Sequence, residues 1–229
     1  SMSLGVNSTA SGSNAQAFGV SATAVGVNAV AIASSSNATG DDAMAIGVLS
    51  QASAVNAIAF GSNANASGLS SMAMGVNSFA NAANATAIGQ SARATSANAL
   101  ALGLFAQASG TVAVAIGMNA VALDNETLAA GAYSNAAGAN SIAIGTSALA
   151  AMTNAMAIGS SSLANMTNAM AIGTRASATT TDAFAAGLEA KANGVNSMAL
   201  GMLSVASSTN SFAAGSLAQA TAANAIAYG

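Results

Sequence analysis

Catalysis requires groups that take up protons, attack substrates or hold metals, and few of the 229 residues are of that kind. The chain has no histidine and no cysteine. That excludes a Ser-His-Asp triad, a thiol nucleophile and the common zinc ligand sets. The carboxylates are Asp41, Asp42, Asp124, Glu126, Asp182 and Glu189, and the cations are Arg93, Arg175 and Lys191. Asp124, Asn125 and Glu126 are adjacent but lack the ligand spacing of a calcium loop. With three cations and a net charge of −3, there is no electrostatic footprint for nucleic acid and no polybasic segment for anionic lipid. The expectation is a non-enzymatic protein with no cofactor or metal, contacting neither nucleic acid nor membrane.

The few charged groups sit inside a repeat that governs the rest of the chain. Counting in steps of fourteen from Gly5 to Gly229 gives seventeen positions, and sixteen of them are Gly, the exception being Ala33. No insertion or deletion breaks the count, so the architecture must be read from this period first. Charged residues are 4%, against about 25% in an ordinary soluble domain. Hydrophobic residues reach 53%. Gly, Ser, Asn or Thr still interrupts them too often for the ~20-residue apolar run of a membrane helix. No signal-peptide pattern opens the chain. Because Ser1 already falls inside a repeat and Gly229 closes on a marker glycine, the chain reads as a piece of a longer array.

Numbering each unit from its marker glycine as 0, four columns hold only small side chains, with one exception. Position −2 is Ala except for Ser3, −4 is Ala or Ser except for Thr127, +3 is Ala or Ser, and +5 is always Ala. Columns −3 and −1 are large and apolar instead, and +2, +4 and +6 are mixed and mainly polar. Alternation in steps of two means strand, since successive side chains leave opposite faces. Each unit therefore reads as a strand over −4 to −1, a turn at 0 and +1, a strand over +2 to +6, and a turn over −7 to −5. All 23 glycines fall at 0 or −7, which predicts positive φ at both turns. Asn at −5 in eleven of sixteen units suits an Asx-turn or a ladder of stacked amides. The result is an all-β protein, a β-solenoid with two short strands per 14-residue coil.

Parity then assigns the faces. The small columns fill a thin interior, while −3 and −1 point outward although they are Ile, Met, Leu and Phe. Such a flank exceeds the apolar surface a monomer tolerates, which predicts an obligate homo-oligomer. Its core is expected at Ile46, Ile58, Ile88, Leu100, Ile116, Ile142, Ile144, Ile158, Ile172 and Ile226. Where −1 shrinks to Ala130, Ala186 or Ala214, position −3 is Leu128, Phe184 or Phe212, an exchange of size that suits a shared core. Gln16 and Thr86 are polar intrusions in the −3 column.

Asp42, Glu126 and Asp182 occupy the −5 column, so turn chemistry in place of Asn is their expected role. Arg175 and Glu189, both at +2 in consecutive coils, should stack as a small surface ion pair, with Lys191 on the same face. The second sheet carries Phe79, Phe105, Tyr133, Leu149, Leu163, Leu203 and Val205 outward. One reading makes these an adhesive surface without a pocket, where repetition supplies avidity; the other makes them strand formers and scattered exposed hydrophobes. Ice binding would require ranks of Thr, and columns +2 and +4 contain only Thr9 and Thr23.

The unit seen at Asn140-Ser141-Ile142-Ala143-Ile144-Gly145-Thr146-Ser147-Ala148-Leu149-Ala150, and again at Asn196-Ser197-Met198-Ala199-Leu200-Gly201, resembles the head repeats of YadA-like trimeric autotransporter adhesins. The likeness covers residues 1–229, read as a single head domain of about sixteen repeats without the family's neck, stalk or membrane anchor. It implies a left-handed parallel β-roll, assembly as a parallel homotrimer, and display on a bacterial cell surface beyond the outer membrane through a C-terminal anchor. It also implies attachment to host extracellular matrix proteins such as collagen, fibronectin or laminin. A structural spacer rod in an adhesin or phage fibre, with no ligand of its own, is the alternative.

Overall fold

The computed structural model describes residues 1–229, which form strands and turns and no helix. They divide into two compact units, Ser1–Ala115 and Ile116–Gly229. Each unit is a parallel β-solenoid with 14-residue turns, about sixteen turns in the whole chain. In the first unit Met72 pairs with Thr86 and Asn65 with Phe79; in the second, Ile142 pairs with Met156 and Leu149 with Leu163. Every pairing joins residues fourteen apart, so a column in the sequence is a stack in space. The parallel ladder continues through the turns, as the Ser147 N–H donates to the Ala132 carbonyl at 2.9 Å. No proline could serve in such a ladder, which accounts for its absence.

The interior is as thin as the small columns require. Ala143, Ala148, Ala150 and Ala157 have no exposed surface, and no fully buried side chain is larger than Thr127. Thr127 satisfies its hydroxyl by donating to the Asp124 carbonyl at 2.7 Å. Serines at +3 do the same toward position 0: Ser134 donates to the Gly131 carbonyl and Ser162 to the Gly159 carbonyl, both at 2.8 Å.

The strands are shorter than the alternation predicts. They cover −3 to −1, as in Ile142–Ile144, and +4 to +5, as in Leu149–Ala150. Position +2 is therefore a turn residue, not the start of the second strand. Its φ is 56° at Ser147, and the residue at −5 matches it, with 57° at Asn154. Left-handed residues recur every seven positions, so each coil consists of two seven-residue halves with similar backbones. In both turns the fourth residue donates to the carbonyl of the first: Ala148 to Gly145 at 3.2 Å, Ala155 to Met152 at 3.0 Å. A left-handed third residue is what type II turns require.

The two glycine columns serve different ends. Gly145 has φ +126°, and a Cβ there would meet the backbone of Gly159 at 2.6 Å. At −7 the expectation of positive φ is not met, since Gly138 lies outside the left-handed range. Close approach of the next coil explains it instead: a Cβ on Gly138 would come within 2.1 Å of the Met152 carbonyl carbon.

Candidate assembly and adhesive surfaces

The outward positions of the first strand form the flank predicted to lie between copies. Ile46, Ile58, Ile88, Leu100, Ile142, Ile144, Ile158 and Ile172 are half-buried, covered only by their own stacked neighbours, and Ile116 and Ile226 are exposed. Not one of the ten is buried within the protomer. Phe212 and Tyr228, also on this flank, meet edge to face with ring centroids 6.0 Å apart. Gln16 is exposed and Thr86 half-buried in the same column, and nothing within the protomer explains either.

The other candidate residues fall into two groups. Phe79, Leu149, Leu163 and Val205 occupy +4 on the second strand and are half-buried in their stacks. Arg93 lies over the Phe79 ring, 5.1 Å from its centroid, a cation–π contact between adjacent coils. Phe105, Tyr133 and Leu203 lie at +2, on the turn and not on the sheet, with φ between 55° and 58°. They belong to an edge that parity alone missed. Thirteen of the exposed large hydrophobic side chains lie at +1 or +2, among them Val48, Leu104, Met118 and Met202; only Val25 and Leu123 lie at +4 or +6. Most exposed apolar surface is thus on the flank and the adjoining turn, and the second sheet has little. The frequency of Val, Leu and Met at +1 was the available signal.

Asp41, Asp42, Asp182, Arg175 and Glu189 all make contacts between adjacent coils. Along the −5 column Asn14 donates to Asn28 at 3.1 Å and Asn28 to Asp42 at 2.9 Å; Asn154 donates to Asn168 at 3.1 Å and Asn168 to Asp182 at 2.8 Å. Of the two arrangements expected at −5, the ladder of stacked amides forms in these runs, and carboxylates accept at their ends. Asp41 accepts the Val27 backbone N–H at 2.8 Å. Arg175 pairs with Glu189 in the next coil, at the surface. No three carboxylates come together as a metal site would need.

The YadA head domain repeat profile matches residues 3–29, 38–64, 66–92, 94–120, 125–148, 150–176, 164–190, 178–204 and 206–229. Among solved structures the chain is similar to the collagen-binding domain of the Yersinia adhesin YadA. The identity is 28%, over 75% of this chain and 72% of that one, with a TM-score of 0.37. No curated protein matches significantly. With the repeat profile matched along nearly its whole length, the chain belongs to the YadA head-repeat family, a family of adhesin head domains, and is a YadA-like head domain.

Proposed function

We propose that residues 1–229 act as a single head domain of a trimeric bacterial surface adhesin. Three parallel copies, each a left-handed β-roll, would meet along their −3 and −1 columns. The head would stand beyond the outer membrane on a C-terminal anchor and attach the cell to host extracellular matrix or to other surfaces. The observation that supports assembly is the outward flank. An interior holding nothing larger than Thr127 has no room for Ile142, Ile144 or Ile158. Burying each such side chain between copies contributes about 1.5–3 kcal/mol. The resemblance to YadA-like heads supports collagen, fibronectin and laminin as candidate ligands.

A spacer without its own ligand is favoured by one observation, the scarcity of exposed large apolar side chains on the second sheet. Immobilised collagen, fibronectin and laminin, each titrated with the purified chain, separate the two. Saturable binding that weakens on replacing Phe105, Tyr133 or Leu203 by Ser supports adhesion. No binding to any of them at micromolar concentration supports the spacer.

A further inference from the structure

The second sheet differs between the two units. In the first, Ser1–Ala115, column +4 reads Thr, Thr, Asn, Gln, Asn, Phe, Arg, Gln along the chain, with no aliphatic residue. Column +6 of that unit is hydroxyl or amide except at Val25. In the second unit half of column +4 is aliphatic, at Val121, Leu149, Leu163 and Val205. Strand pairing puts Gln51, Asn65, Phe79, Arg93 and Gln107 on successive rungs of the first unit. With rungs about 4.8 Å apart, they form a row of planar side chains about 19 Å long.

The protein leaves much of this row unsatisfied. Amides of the −5 turn bond to one another, as Asn84 does to Asn98 at 3.1 Å. On the sheet, the side chains of Gln51 and Asn65 have no hydrogen-bond partner, and Gln107 gives only one donor, to the Ser109 Oγ at 3.0 Å. Arg93 is the only charged residue between Asp42 and Asp124. No carboxylate pairs with it, since the one ion pair of the chain is Arg175 with Glu189. The Phe79 ring, 5.1 Å from the guanidinium, orients an exposed group whose N–H donors meet no protein acceptor.

These features select a partner. A lone, oriented guanidinium matches a carboxylate, which it can hold through two parallel hydrogen bonds. One cation along the row is too few for nucleic acid or a densely sulfated chain. A protein partner needs large apolar anchors, and the only large apolar side chain of the row, Phe79, is half-buried beneath Arg93. Amides and hydroxyls that both donate and accept suit the hydroxyls of sugars. We infer that the second sheet of the first unit binds an acidic polysaccharide whose carboxylates are separated by uncharged sugars. Arg93 takes a carboxylate, and Gln51 and Asn65 take hydroxyls. This goes beyond the protein ligands proposed above, and rests on that reading only in taking the second sheet as the face turned away from the other copies.

Hyaluronan, in which glucuronate alternates with an uncharged sugar, is a suitable probe, immobilised and titrated with the purified chain. Saturable binding is expected at micromolar concentration. Arg93→Gln should weaken it about tenfold, the loss of one charge-assisted pair. Gln51→Ala with Asn65→Ala should weaken it as well, whereas Lys191→Gln, which removes a cation of the second unit, should leave it unchanged. Hyaluronan with its carboxylates reduced to alcohols should bind the intact chain about as weakly as hyaluronan binds the Arg93→Gln variant. No binding of hyaluronan, or binding that Arg93→Gln leaves intact, would overturn the inference. The matrix proteins, titrated in parallel, keep the two readings apart. If collagen, fibronectin or laminin binds and hyaluronan does not, only this inference falls. If hyaluronan alone binds, and through Arg93, this inference stands and the matrix-protein reading falls.

Discussion

Each coil contains two halves that fold alike and differ in what they present outside. Ile142–Ile144 and Leu149–Ala150 both send alanine into the same interior, and both lead into a turn with a left-handed third residue. The first half turns Ile, Met and Leu outward; the second turns out mainly Thr, Asn, Gln and Ser. Since the inward positions are equivalent, folding of the single coil does not require the difference. In the proposed assembly it reflects what stands against each face. The lesson extends to the turns, where one edge keeps the Asn its backbone prefers and the other gives it up for Leu, Phe and Tyr.

The largest effect should come from the outward strand positions. Ile144→Ala with Ile158→Ala should cost about 2–5 kcal/mol per residue in chemical unfolding, the value for side chains buried in a core. Leu149→Ala with Leu163→Ala, in the equivalent half, should cost about 1 kcal/mol or less in total. Equal losses would remove the distinction between the faces.

Next in size is the marker glycine. Gly145→Ala forces a side chain into φ +126° against the next coil and should cost about 1–3 kcal/mol. The reverse change is available at Ala33, whose φ is 102°. Ala33→Gly should raise stability by up to about 1 kcal/mol, read from the denaturation midpoint.

The smallest contrast compares +3 with −4, equivalent positions in the two halves. Ser134 donates to the Gly131 carbonyl, whereas the buried Ser141 hydroxyl has no partner. Ser134→Ala should lose roughly 1 kcal/mol, and Ser141→Ala should be neutral or stabilising. Thermal melts of the two variants check the opposite signs.

Much of this was legible in the sequence because the solenoid places each column in one environment. The small columns gave the thin interior, the −5 Asn gave the amide ladder, and Arg175 with Glu189 gave an ion pair across adjacent coils. What escaped was the seven-residue half-period. Gly marks the first residue of a turn and not the third, so the left-handed residue at +2 was hidden by the Leu, Phe and Tyr that occupy it. Parity consequently extended the second strand too far and placed Phe105, Tyr133 and Leu203 on a sheet instead of an edge. The −7 glycines were misread for a related reason, because glycine signals either positive φ or close approach and composition does not distinguish them.

The central claim is that the −3 and −1 flank is an interface between copies, and light scattering coupled to size exclusion tests it most directly. The intact chain should elute with a mass three times 21.4 kDa, and Ile144→Asp with Ile158→Asp should lose that trimer. An intact chain of 21.4 kDa, or a double variant that remains trimeric, would contradict the account.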